Sequence, residues 1–352
     1  MAHLTGNFTS EAPLSPAVRE AISAALEQGW ADPKKASQAA GKAAILTQSA
    51  KGEISEVLGT SPEKLEIVGE PALLHFLALQ GFTRGELPLY ISTADVGKIR
   101  AIARQDYDES RVIGIDENGL LLASAFKFPK RSVISLQASN GETGAAQDLD
   151  HWRDHTAHVV LDATRAIPTE RLTSGFAATT LDALSWNGPA GIGFLHIEDS
   201  KNFSYPLPHI APIRVPGTYS LPLLIGAAVA IKEFVSNTQS LLSLRAYFID
   251  LLDEIPGVTV LAKRSGIHSR HISIIVDDIS SEEVLRTLLQ RSISIDAGSA
   301  CSPEDLAPSH VIAAMGYPTT GHLRMTLHPG HTHADVDQTV HTIKDVLSEL
   351  RR

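Results

Sequence analysis

The chain has 352 residues, a formal net charge of −10 and 43 % hydrophobic residues, enough apolar material for a large core and a length that suits two domains. The acidic balance, with no basic run longer than Lys34-Lys35 or Arg351-Arg352, excludes nucleic acid as a main partner, because phosphate binding needs clustered Lys and Arg. No stretch reaches the roughly 18 consecutive apolar residues of a membrane span, the first residues lack the basic and apolar regions of a signal peptide, and the single cysteine, Cys301, forbids an internal disulfide, so a reducing cytoplasm is the expected compartment.

Ser15-Pro16 opens the first helix. Ser is a good N-cap, Pro is tolerated at the first helical position, and Val18, Ile22 and Leu26 follow at four-residue spacing. Short apolar runs then alternate with helical patterns. They predict strands over 65–68, 89–93, 112–115, 133–137, 158–161 and 191–197, and helices over 72–79, 96–104, 144–152 and 223–234. Alternating units of this kind imply a mostly parallel sheet covered by helices on both faces. After residue 236 the pattern changes. Helices are predicted over 241–254, 281–290, 308–315 and 334–350, and strands over 258–262, 271–276, 292–296 and 322–327. The fold class is α/β, with a large domain over 15–235 and a smaller α+β domain made of 1–14 and 236–352.

Two chemical features stand near the end of the chain. Asp296-Ala297-Gly298-Ser299-Ala300-Cys301-Ser302-Pro303 leaves a predicted strand and enters a small-residue loop that can bring a thiol close to a partner. Arg324 lies mid-strand, a guanidinium fork suited to a carboxylate. The plain alternatives are a buried structural cysteine and a surface salt-bridge arginine. In context, Gly-Ser-Ala-Cys followed by Pro308-Ser309-His310-Val311 and the Arg324 strand closely resembles the C-terminal part of the cysteine desulfurases, which are class-V aminotransferases of the fold-type I pyridoxal phosphate superfamily. Further along the resemblance lie Asn140-Gly141-Glu142-Thr143-Gly144, Leu161-Asp162-Ala163-Thr164-Arg165, Gly188-Pro189-Ala190-Gly191-Ile192-Gly193 and Arg214-Val215-Pro216-Gly217-Thr218. The order of these segments over some three hundred residues implies the fold-type I architecture. The resemblance also implies that Cys301 takes the persulfide position, in a group that hands sulfur to an iron–sulfur scaffold or a tRNA-thiolation protein. It places Arg324 at the carboxylate-binding arginine, Asn140 in the substrate-side turn, and Thr218 in the segment that reaches the neighbouring subunit's phosphate.

The cofactor end departs from that family. Its Schiff-base lysine precedes Gly-Pro-x-Gly, but no lysine lies between Lys130 and Lys201 here; an ungapped match puts Ser185 at that position, while a match on Asp182-Ala183-Leu184 deletes about five residues and the lysine with them. Its phosphate turn is replaced by Gly69-Glu70-Pro71-Ala72. Pro71 has no N–H, Ala72 no hydroxyl, and Glu70 places a carboxylate where an anion would bind. Asp95 stands where a ring-stacking His is expected, and Arg165 replaces the ring-oxygen Gln. Asp162, the partner of a protonated ring nitrogen, remains, with an ion pair to Arg165 as its plain alternative. The histidines of His328-Pro329-Gly330-His331-Thr332-His333 are read as a solvated loop, and no metal site is expected.

The reading is a desulfurase-like protein without the cofactor lysine: a non-catalytic partner, persulfide acceptor or regulator in sulfur mobilisation and iron–sulfur assembly. It is expected to form a homodimer, or a heterodimer with an active desulfurase, and to meet a sulfur-acceptor or scaffold protein. No covalent cofactor is expected. The rivals are an enzyme that holds pyridoxal phosphate non-covalently and a module whose emptied cleft binds another small ligand.

Overall fold

The structure is a computed structural model describing residues 5–28, 31–104, 108–209, 218–263, 269–297 and 309–352. Seven strands form the larger sheet: β1 (Leu65–Val68), β2 (Leu89–Ser92), β3 (Val112–Ile113), β4 (Val133–Gln137), β5 (His158–Asp162), β6 (Ala178–Asp182) and β7 (Gly193–Ile197). Their order is β1-β7-β6-β5-β4-β2-β3. The run from β3 to β6 is parallel, and β7 lies antiparallel to both β6 and β1. The sheet is therefore mostly parallel and the chain α/β, as the alternating pattern predicts. Every residue of β4 and of β7 is buried, as expected for central strands covered on both faces.

One face is covered by α1 (Pro16–Gln28), α2 (Gln38–Val57) and α5 (Leu221–Ser236), whose Leu224, Ala227 and Ile231 enter the main core with Ile134, Leu136 and Phe194. On the other face, α3 (Leu74–Thr83) and α4 (Gly97–Ala103) meet Val133, Val160 and Leu195 in a second cluster. α3 is apolar almost all round, which suits a helix laid flat on a sheet.

A second, antiparallel sheet of β8 (Val258–Val260), β9 (His271–Val276), β10 (Asp296–Ala297) and β11 (His322–Thr326) has the order β10-β11-β9-β8. α6 (Thr238–Asp253), α7 (Ser281–Gln290) and α9 (His333–Leu350) cover it, and α8 (His310–Ala314) leads into β11. The N-terminal segment runs beside this sheet: the Phe8 amide donates to Ser294 O at 2.8 Å, and the Thr326 amide donates to Phe8 O at 2.7 Å.

Some expectations need correction. The predicted helix over 144–152 is only a short 3-10 turn, Leu149–Trp152. Gly144 has φ +75°, and a Cβ there would lie 2.6 Å from His271 O, so the chain passes too close to β9 to coil. The predicted strand over 292–296 shrinks to Asp296–Ala297. α2 and β6 were not anticipated. The loop with three histidines is not solvated throughout. His328 is fully buried and donates from Nε2 to Thr9 O at 2.8 Å, while His331 stacks on Phe8 at 4.3 Å between ring centroids.

Candidate functional site

In parallel sheets, crevices form beyond the carboxyl ends of the strands. Asp162, the last residue of β5, stands there between Gln137 of β4 and Thr180 of β6. It is 3 % exposed. Its Oδ1 accepts hydrogen bonds from the Thr164 amide (3.0 Å), the Thr164 hydroxyl (2.7 Å) and the Thr180 hydroxyl (3.4 Å). Its Oδ2 lies 3.1 Å from His75 Nε2, as an ion pair and not as a well-aligned hydrogen bond. His75 comes from the first turn of α3. Burial works against its imidazolium, but the Asp162 and Asp95 carboxylates outweigh it and raise its pKa. Burial alone would raise the Asp162 carboxyl; His75 and the Thr164 donors outweigh it and hold that group well below the ordinary carboxylate range. The sequence allowed an ion pair between Asp162 and Arg165; the partner is His75.

Asp95 lies beside this pair and is completely buried. Its carboxylate accepts from the Ser92 amide (Oδ2, 2.8 Å) and interacts with the Ser135 hydroxyl. Burial pushes its carboxyl up to about 7. The floor of the crevice thus holds two carboxyl groups and one imidazole with opposite proton affinities.

Two turns follow strand ends that share Gly193 of β7 as register partner, Val68 of β1 and Asp182 of β6, and each is closed by its own carboxylate. Glu70 Oε1 accepts from the Ala72 amide at 3.0 Å, ahead of α3. Asp182 Oδ1, at the end of β6, accepts from the Leu184 amide at 3.0 Å. Burial raises the Asp182 carboxyl, with Arg165 and Lys98 pulling against it. Thr218 sits against the first of these turns: a Cβ on Gly69 would lie 2.2 Å from Thr218 O, so only glycine fits.

The Ala183–Trp186 turn carries Ser185, whose hydroxyl is buried without a partner. Trp186 is fully buried, donates to Ala227 O at 3.1 Å, and so anchors the turn on α5. From β9 side, Arg270 braces it. Its Nη2 donates to Leu184 O (3.0 Å) and its Nη1 to Asn187 Oδ1 (2.6 Å), His328 Nδ1 (3.0 Å) and Leu327 O (3.3 Å). Burial lowers the Arg270 guanidinium to about 9, which leaves it charged at neutral pH. His271, His322 and His328 are held neutral nearby, first by burial and then by neighbouring guanidinium groups.

The rim is built differently. Asn140 accepts from the Glu142 and Thr143 amides, both at 2.9 Å, and donates to Gln137 Oε1 at 2.8 Å, so it is engaged in shaping its own turn. Arg165 lays its aliphatic stem over Gly141, where a Cβ would come within 3.0 Å of Arg165 Cγ. Arg324 faces Asp296 across the β10–β11 pair; among the described residues its Nη2 makes one long contact to Ala297 O, 3.4 Å, and its buried Nε has no partner. Cys301 and most of its loop lie outside the described residues, as do Arg214–Gly217. His310, at the start of α8, lies with Nε2 3.1 Å from Asp95 O, which ties α8 to the turn after β2.

The sequence profile of the aminotransferase class-V family matches residues 211–339. The chain is 27 % identical to a cysteine desulfurase IscS of Methanosarcina thermophila over 263 residues, which cover 69 % of this chain and 65 % of that protein. It is 25 % identical to cysteine desulfurase 2 of Trichormus variabilis over 99 % of this chain and 94 % of the relative. The chain is thus similar in sequence to the cysteine desulfurases, and its C-terminal part matches the class-V aminotransferase profile. Its fold is that of a NifS-like protein (TM-score 0.82, 18 % identity, covering 97 % of this chain and 99 % of the other) and of the desulfurase CsdA from Escherichia coli (TM-score 0.78, 18 % identity, 97 % and 94 %). This family uses pyridoxal phosphate.

Three residues of the site were not singled out in the sequence. His75 and Arg270 are ordinary residues locally; their partners lie 87 and 86 positions away, at Asp162 and Leu184. Lys98, at the start of α4, is close enough for its charge to act on both His75 and Asp182. The only early signal for it was its place just after Asp95.

Proposed function

We propose that this chain is a non-catalytic, desulfurase-like component of sulfur mobilisation, accepting persulfide sulfur on Cys301 and working beside an active desulfurase. The observation that carries the reading is Ser185 in the turn after β6, a buried hydroxyl with no partner where the family resemblance calls for an amine. A hydroxyl cannot form the imine that tethers the cofactor. The carboxylates engaged at Ala72 and Leu184 support the reading, because they remove two amides from the anion-binding inventory of the crevice. A dimer, as homodimer or with an active relative, and an acceptor or scaffold protein belong to the same proposal.

The test is transfer of labelled sulfur. Purified protein given labelled cysteine alone releases no sulfide. With an active desulfurase added, label appears on Cys301 and is lost in Cys301→Ala. Sulfide release by the protein alone overturns the assignment.

Lys98 favours a second reading, an enzyme that retains pyridoxal phosphate through a different amine. Borohydride reduction after incubation with pyridoxal phosphate, followed by peptide mapping, separates the two. An adduct on Lys98 that accompanies turnover supports the enzyme; no adduct in the crevice supports the partner.

A further inference from the structure

We infer that the crevice is closed to pyridoxal phosphate by side chains that stand in for the cofactor's two polar ends: the His75 imidazole against Asp162 replaces the ring nitrogen, and the Glu70 and Asp182 carboxylates on the Ala72 and Leu184 amides replace the phosphate. The inference rests on the non-catalytic reading above and makes it more specific. On this view the missing lysine is one of several changes, and restoring it alone restores nothing.

The ring end is filled first. A pyridinium needs a carboxylate oxygen for its N–H. Asp162 has two, and both are engaged: Oδ1 by Thr164 and Thr180, Oδ2 by His75 at 3.1 Å. A heteroaromatic cation already sits where another would have to go. Displacing it would leave His75, 8 % exposed, with no other counter-charge than Asp95.

The anion end is filled in the same way. The Ala72 and Leu184 amides are the free donors that begin their turns. Each already donates to a carboxylate at 3.0 Å, and Pro71, just before Ala72, has no N–H to add. A phosphate would have to displace Glu70 and Asp182 and then bear their negative charge beside its own. Either carboxylate taken singly is an ordinary cap. Their presence at the two turns that follow the β1 and β6 ends paired with Gly193, with an imidazole on the ring-nitrogen carboxylate of the adjacent β5, is what points to replacement of a whole ligand.

The probe is pyridoxine 5′-phosphate, which has the ring and phosphate but no aldehyde, so lysines cannot capture it. Equilibrium dialysis compares the wild-type protein, Ser185→Lys, the double variant Glu70→Gln/Asp182→Asn, and the triple variant that adds His75→Asn. The wild-type protein and Ser185→Lys should retain none at micromolar concentrations. The double variant should gain about tenfold in affinity, and the triple variant more. The double variant leaves the buried ion pair intact, so it stays informative if the triple variant fails to fold. Nitrogen-15 NMR of the wild-type protein gives an independent reading: His75 should carry protons on both nitrogens at pH 7 and lose that state in Asp162→Asn. Retention of the probe by the wild-type protein, or no gain in folded variants, overturns the closure. The partner reading survives either result unless the wild-type protein also releases sulfide.

Discussion

The floor of the crevice and its rim are built on opposite principles. At the floor, Asp162, His75, Glu70 and Asp182 are engaged with one another or with nearby amides. At the rim, Arg324 has, among the described residues, one long hydrogen bond and an unpartnered Nε, beside the strand end at Ala297. Groups that satisfy each other hold structure. A charged group left unsatisfied holds capacity for a ligand or partner, because burying it without one is costly. The difference teaches that the polar groups at Asp162 and the two turns have counter-charges or amides of this chain at hand, whereas the Arg324 guanidinium has little among the described residues.

The largest expected effects test the rim. Cys301→Ala should abolish sulfur uptake from an active desulfurase while leaving the melting temperature within experimental error. If uptake persists, the cysteine loop has no part in transfer and the comparison loses its open end. Next come variants of the floor and its brace. Arg270→Ala removes the donor to Leu184 O, Leu327 O and Asn187 and leaves a cavity, and should cost about 3–5 kcal/mol in urea unfolding. His75→Ala leaves a buried carboxylate unpaired and should cost about 2–4 kcal/mol at pH 7. That cost should shrink below pH 4, where Asp162 without its partner can take up a proton. A pH-independent cost would show that the pair is not ionic.

Asp95 sharpens the comparison through pH. Its folded pKa, about 7, lies above the unfolded carboxylate value, so between pH 4 and 7 the folded state keeps a proton that the unfolded state has lost. The contribution to stability is full below pH 4 and is lost as pH rises through 7. Asp95→Asn removes this slope. Relative to wild type it should gain on the order of 4 kcal/mol between pH 4 and pH 8. The smallest stability effect belongs to the rim: Arg324→Ala should cost under about 1 kcal/mol, because its packing and hydrogen bonding are slight. If it unfolds the protein instead, Arg324 is part of the internal scaffold.

Much of the architecture was legible because its signals are local. α7, α9 and β9 follow apolar periods with clear caps or flanks, and their predicted bounds agree closely with the structure. α2 was illegible because the residues it buries are mostly Ala40, Ala43 and Ala50, too small to print a period. β6 is short and carries two threonines between its apolar positions. The 144–152 helix failed for a tertiary reason, the approach of β9 to Gly144. At the site, Glu70, Asp95, Asp162 and Ser185 were visible as residue types at motif positions. His75 and Arg270 were not, because an ion pair or a brace across more than eighty residues leaves no trace in either neighbourhood.

His271, His322 and His328 have a calorimetric consequence. Folded, they stay neutral well below the pH at which free imidazole charges. Unfolding at pH 5.5 frees all three to bind protons, while Asp95 gives one up, so melting should take up a net of about two protons from the buffer. The measured heat will therefore depend on who supplies those protons: it should differ between acetate and Bis-Tris at the same pH and melting temperature, and the slope of heat against buffer ionisation enthalpy gives the protons taken up by the imidazoles the folded chain has kept dry, less the one that Asp95 releases.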